Sequence, residues 1–163
     1  MQNNYTTERL SLDKLCFDDY EFMSQLVNTL EWIKFIGDIN IKTEEDAKNY
    51  VQKIIENPNV IYWVVKLKTE NTKIGIITFI KRDYLEHNDI GFAFLPKYAK
   101  KGYAYEATKP VLNDALNNKN HNRILATTIK ENINSVKLLE KLGMSFKNEI
   151  EIGKDLLQIY STT

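Results

Sequence analysis

The stretch from Asp89 to Asn118, DIGFAFLPKYAKKGYAYEATKPVLNDALNN, restricts the fold more than any other part of the chain. Asp89 to Leu95 is a short apolar run rich in Ile and Phe and closed by Pro96, the pattern of a buried strand. Lys97 to Lys101 is a tight polar loop that carries Lys97, Lys100 and Lys101. From Gly102 the period changes. Ala104, Ala107, Thr108, Val111, Leu112 and Ala115 fall on one helical face. A strand therefore runs through a loop into a helix N-terminus, with Gly102 where backbone must come close to something. The N–H groups of a first helical turn have no intrahelical partner, and the helix dipole adds positive potential there. That end can hold an anion, most naturally a phosphate. The stretch contains neither G-x-x-x-x-G-K-[ST] nor G-x-G-x-x-G, so a phosphate bound here is held by a different kind of loop.

A chain of 163 residues is expected to form one domain, 1–163, with a sizeable core. Lys and Arg number 22 and Asp and Glu also 22, which argues against nucleic-acid or anionic-membrane binding through bulk charge. MQNNYTTERL has no apolar signal region, no apolar run is long enough to span a bilayer, and Cys16 has no partner for a disulfide. The expected location is the cytoplasm. Cys16 reads as a small buried hydrophobe rather than a nucleophile, because no His lies near it. His87 and His121 match no metal-ligand spacing, so no metal is expected.

Taken in order, Arg9 to Leu15 alternates like a strand. A helix begins at Asp18 and Asp19, with Tyr20, Met23, Leu26, Val27 and Leu30 on its inner face. Glu31 to Asn40 is an aromatic connector ending near Gly37, suited to one wall of a cleft. Thr43, with Glu45 or Asp46 near the third helical position, opens another helix as a capping box does. Ile61 to Leu67 and Ile74 to Ile80 read as a hairpin, apolar on both faces, followed by the Asp89 strand. Arg123 to Ile129 is a further strand. Asn132 caps a helix that ends at Gly143, and Met144 to Ile152 and Leu156 to Tyr160 are two closing strands.

This order, and three stretches within it, resemble the GNAT N-acetyltransferases, and among them the RimJ/RimL-like group that acetylates protein N-termini and small amines. IGFAFLPKYAKKGYAYEA is similar to the family's strand–loop–helix that binds the coenzyme A pyrophosphate. ENINSVKLLEKLGM, Glu131 to Met144, is very close to the family's second helix, and TTERLSL is the group's usual opening. The family's loop, [QR]-x-x-G-x-[GA], falls on Ala99 to Ala104. Gly102 and Ala104 match, Ala99 replaces the usual Gln or Arg, and Lys100 replaces a frequent Gly. The implied fold is an α+β sandwich: a mixed, mostly antiparallel twisted sheet of about seven strands with helices on both faces.

The resemblance implies transfer of an acetyl group from acetyl-CoA to a primary amine by direct attack in a ternary complex. Phe94, Leu95, Lys100, Lys101, Gly102, Tyr103 and Ala104, with Asn132 and Ser135, are then expected to hold acetyl-CoA. Asp89 is expected to take the amine's proton, directly or through water, with Glu86 and His87 as nearby substitutes. Backbone N–H groups around Phe94 would face the oxyanion. Many relatives place a Tyr acid on the second helix. Leu139 stands there in this chain, so the expected acid is Ser135. Trp32, Ile36 and Tyr84 are expected to line the amine pocket. The acceptor stays open between a protein N-terminus and a small-molecule amine, and a homodimer is compatible with all of this. An alternative is a non-catalytic acyl-CoA-binding or sensor module, motivated by the absent Tyr and the altered loop.

Overall fold

The computed structural model describes residues 1–163. The strands are β1 (Asn4–Thr6), β2 (Leu10–Lys14), β3 (Val60–Leu67), β4 (Thr72–Ile80), β5 (Asp89–Phe94), β6 (Leu125–Thr128), β7 (Ser145–Ile152) and β8 (Asp155–Ser161). The helices are α1 (Tyr20–Val27), α2 (Leu30–Phe35), α3 (Glu44–Glu56), α4 (Tyr103–Asn117) and α5 (Ile133–Lys141). All strands join one sheet in the order β1-β2-β3-β4-β5-β6-β8-β7. Every neighbouring pair is antiparallel except β5 with β6. The expected α+β architecture is what forms.

The sheet has eight strands rather than about seven. The added one, β1, is three residues long, too short to display alternation in sequence. Long-range packing makes it a strand: Tyr5 pairs across from Leu12 and meets the Trp63 ring edge-on, with 5.6 Å between ring centres. The Trp63 side chain is fully buried, and its indole N–H donates to the Gln2 carbonyl at 3.1 Å.

Two further expectations need correcting. The connector Glu31 to Asn40 contains a helix, α2, which Thr29 caps by accepting the Trp32 N–H at 3.3 Å. That restart changes the helical phase. Leu30, expected on the inner face of α1, is 81% exposed. Cys16 is exposed, because it precedes a short 3-10 turn at Phe17–Asp19, and its N–H donates to Asp19 Oδ2. The capping box on α3 forms as read: Asp46 N–H donates to Thr43 Oγ1 at 3.0 Å, and Thr43 N–H to Asp46 Oδ2 at 2.9 Å.

The hairpin strands, apolar on both faces, are covered on both. One core packs α4 and α5 against the sheet through Leu10, Ile77, Ile90, Val111, Leu112 and Leu139. The other packs α1, α2 and α3 on the opposite face through Met23, Leu26, Trp32, Val51, Val64 and Ile76, and has no buried member beyond Leu95. Burying one such side chain contributes about 1.5–3 kcal/mol. A bulge links the two cores. Val65 pairs with Gly75 but Lys66 pairs with Lys73, leaving Ile74 unmatched. Ile74 consequently faces the first core and Ile76 the second, although they are two residues apart. The bulge also brings the end of β5 very close. A Cβ on Gly75 would stand 2.5 Å from Phe94 Cδ1 and 2.6 Å from the Ala93 carbonyl oxygen, so only glycine fits.

Candidate active site

The defining feature is a gap in the sheet. β5 and β6 pair at a single position, Asp89 with Leu125, where the Leu125 N–H donates to the Asn88 carbonyl at 2.9 Å. Beyond it they diverge, while β5 keeps its pairing to β4 as far as Phe94. Backbone polar groups alternate from side to side along a strand. Asn88 points its carbonyl at β6, and Leu95 donates its N–H to Ile74 on the other side. By that alternation the N–H groups of Phe92 and Phe94 point at the gap.

Two cavities of about 400 Å³ each open along this gap, one on either side. Trp32, Phe35, Ile36, Phe92, Asn132 and Ser135 line both, so the cavities meet there. Asn132 Oδ1 caps α5 by accepting the Ser135 N–H at 3.3 Å. The Ser135 hydroxyl has no hydrogen-bond partner.

The first cavity runs beneath the start of α4. Phe94, Lys100, Gly102, Tyr103 and Ala104 line it. Lys100 (φ 59°) and Gly102 (φ 80°) both adopt left-handed backbone, which curls the loop tightly. Turns of this kind gather successive N–H groups into an anion-binding concavity. The first intrahelical bond runs from the Glu106 N–H to the Gly102 carbonyl, leaving the N–H groups of Tyr103, Ala104 and Tyr105 unpaired within the helix. The charged residues of the wall are Lys100, Lys137 and Lys141 against Glu31 alone. That excess suits a polyphosphate. Leu95 does not join them: it is buried in the second core, and its N–H is committed to Ile74. Lys101 is not in the wall either, and its carbonyl accepts a hydrogen bond from Arg9 Nη1 at 3.0 Å.

Arg9 explains the opening TTERLSL. Its Nε donates to Glu106 Oε2 at 2.6 Å, its N–H to Glu106 Oε1 at 2.9 Å, and its guanidinium lies 4.4 Å from the centre of the Tyr103 ring. Thr7 Oγ1 also donates to Glu106 Oε1, at 2.6 Å. The first residues of the fold thus fasten the loop and the first turn of α4 in place. Burial pushes the Glu106 carboxyl up, but the bonds from Thr7 and Arg9 outweigh it and hold the carboxyl below its ordinary value. A depressed carboxyl stabilises the fold above its unfolded value, near ~4.3, and loses that contribution as the pH falls through the folded value. Glu106→Gln is accordingly expected to lower Tm by a few degrees at pH 7, with wild type and variant converging in thermal melts as the pH falls through the depressed Glu106 value. A gap that persisted at acid pH would show that the carboxylate charge is not what matters.

The second cavity holds Asp89 and Tyr84, with Trp32 and Ile36 on the shared wall. Asp89 is 3% exposed. Arg82 Nε donates to its Oδ2 at 2.5 Å, and Thr127 Oγ1 lies 3.5 Å from the same oxygen. Burial pushes the Asp89 carboxyl up from its ordinary value, while Arg82 and Thr127 pull it down without cancelling the burial. Tyr50 and Tyr62 line the same cavity, and burial raises both phenols. Glu86 and His87, the suggested substitutes for Asp89, line a separate cavity at the same end of the strands but on the opposite face of the sheet, beside Ile61 and Phe79.

Over residues 9–145 the chain matches the family described as the acetyltransferase (GNAT) domain. The chain belongs to the GNAT acetyltransferase family. It is 36% identical over 140 residues to an uncharacterized N-acetyltransferase, YnaD, of Bacillus subtilis (strain 168), covering 85% of this chain and 81% of that protein. It superposes on the crystal structure of a GNAT-family acetyltransferase from Bacillus anthracis with a TM-score of 0.80 and 31% identity, over 97% of this chain and 96% of the other. At 12% identity it shares the fold of RimL, a ribosomal L7/L12 α-N-protein acetyltransferase solved with coenzyme A, with a TM-score of 0.78 over 96% and 95% of the two chains. The protein is thus an acyltransferase of the GNAT type. No helix in it is long and apolar enough to cross a membrane.

Sequence reasoning missed Arg82, Arg9, Glu106, Lys137 and Lys141. Arg82 had a faint signal, a lone arginine shortly before the Asp89 strand. The partnership of Arg9 with Glu106 spans 97 residues and leaves no local trace.

Proposed function

We propose that this GNAT acetyltransferase is RimJ/RimL-like, acts in the cytoplasm, and transfers the acetyl group of acetyl-CoA to a primary amine of a protein N-terminus or a small molecule. The observation that carries the reading is the single-pair junction of β5 and β6, which opens one continuous passage from the α4 N-terminus to Asp89. The ENINSVKLLEKLGM helix and the likeness of fold to RimL support the subgroup.

In this reading the unpaired N–H groups at the start of α4, with Lys100, Lys137 and Lys141, hold the pyrophosphate. Asn132 holds the pantetheine arm. The N–H groups of Phe92 and Phe94 face the thioester oxygen and stabilise the charge that grows there. An ammonium has no lone pair, and an ordinary amine binds its proton up to about pH 10. Asp89 takes that proton through a water, since its own carboxyl is buried and already faces Arg82. The amine nitrogen then bonds to the acetyl carbon and the carbon–sulfur bond breaks. The electron pair leaves on sulfur, and Ser135 Oγ supplies a proton to it, recovered from solvent.

Acetyl-CoA at a hundred times its Kd should stabilise the fold by about 2.7 kcal/mol, a Tm rise of roughly 5–10 °C for a chain of this size. A thermal melt with acetyl-CoA and with desulfo-CoA checks this. No rise at millimolar ligand would remove acetyl-CoA from the reading. A rise without turnover on any amine would favour a binding module that has lost the chemistry.

A further inference from the structure

We infer that the acceptor is an amino-acid-like amine, an apolar side chain on a molecule carrying both an amine and a carboxylate, and that Arg82 binds the carboxylate. The inference rests on the acetyl-transfer reading and narrows its acceptor.

The charge inventory of the second cavity comes first. Its ionisable charges are Arg82, Asp89 and Asp155. Asp89 is spent on Arg82, and Asp155 stands exposed at the rim. A polyamine carries several ammonium groups, and each needs an uncommitted carboxylate or open water once it enters a cavity. This cavity offers one such carboxylate, at its edge.

The hydrogen-bond inventory points the same way. Arg82 uses only Nε, toward Asp89, and its two terminal amino groups donate to nothing in the protein. The side chain is 33% exposed and lines the cavity, with its guanidinium 6.0 Å from the Tyr84 ring centre. A planar fork anchored along one edge and open along the other is the shape that takes a carboxylate through two parallel N–H bonds. Arg82 therefore leaves the site with donors in surplus, and its ligand brings acceptor atoms.

Between these polar groups the wall is apolar: Phe35, Ile36, Ile80 and Ile90, with the rings of Tyr50 and Tyr62. An apolar side chain fits that lining. A zwitterion also completes the electrostatics. Its carboxylate faces Arg82 and takes up part of the guanidinium's charge, which leaves Asp89 able to face the ammonium, and the four charges sum to zero. The proton that must leave the nitrogen then lies on the side of the group that takes it.

The test compares phenylalanine, leucine and methionine with their amides, with the matching decarboxylated amines and with a dipeptide beginning in each residue. Acetyl transfer is followed by release of the CoA thiol. A charge-assisted, two-bond contact predicts that kcat/KM for the free acid exceeds that of its amide and its decarboxylated partner by about ten- to a hundred-fold, mostly through KM. Arg82→Gln should abolish the preference, and Arg82→Lys should restore part of it. The wild-type comparison does not depend on either variant folding. Equal or better use of the amides, decarboxylated amines or dipeptides would overturn the inference and leave acetyl transfer standing. If acetyl-CoA raises Tm but none of the acids is acetylated or binds the CoA complex in calorimetry, the inference is also overturned. Failure of acetyl-CoA itself to bind is a different result and strikes the underlying reading.

Discussion

Asp89→Asn should lower kcat/KM for acetyl transfer by about a hundred-fold or more, the scale of losing a positioned general base. The change keeps the size of the side chain and removes its ability to accept a proton at neutral pH. It also leaves the Arg82 charge without its partner in a half-buried place, so a loss of stability of about 1–3 kcal/mol accompanies it. The two effects separate in one experiment. If the Tm rise with acetyl-CoA survives while turnover collapses, the loss is chemical. If kcat/KM stays within a few-fold of wild type, Asp89 is not the base and its role is to hold Arg82. The pH profile adds a second reading. Burial raises the Asp89 carboxyl, so wild-type kcat/KM should fall on the acid side at a pH above the ordinary carboxylate range.

Gly102→Val is expected to weaken acetyl-CoA by at least about ten-fold while leaving the protein folded. Gly102 holds φ at 80°, where an L side chain costs roughly 1–2 kcal/mol. That cost corresponds to a Tm lower by only a few degrees for a chain of this length. The larger effect is local. The left-handed turn carries the backbone N–H groups at the start of α4, and relaxing it turns them away from a common point. A built Cβ also approaches Arg9 Nη2 at 3.4 Å, so a branched side chain pushes on the group that fastens the loop. Calorimetry of acetyl-CoA binding decides it. An unchanged Kd would mean that the anion is held by the lysines rather than by the backbone.

The parts that were legible in sequence are those whose cause is local. Apolar runs bounded by turn residues located β5 and the hairpin β3–β4, and helical periodicity located α4, because each signal lies within a few neighbouring residues. The Thr43–Asp46 box is a four-residue event, and Gly102 announces a backbone that other residues resist. What escaped depends on distant partners. β1 is a strand because Trp63 and β2 lie beside it. α2 hid among aromatics that favour no one state until Thr29 caps the turn and Trp32 finds its core. Leu30 was misread because a change of helical phase is invisible without the cap that causes it. The coupling of Arg82 to Asp89 crosses a turn whose path the sequence does not specify, and Arg9 meets Glu106 only after the sheet has formed.

The single-pair junction has a mechanical side. The core beneath α4 and α5 reaches from β1 to β8 on one face, whereas the strand residues in the core beneath α1, α2 and α3 come from β3, β4 and β5 only. The two parts of the sheet are therefore joined through a shared core on one face and, along their edge, by backbone pairing at Asp89 and Leu125 alone. Whatever lies in the passage becomes the second fastening. Occupancy and stiffness are then one property.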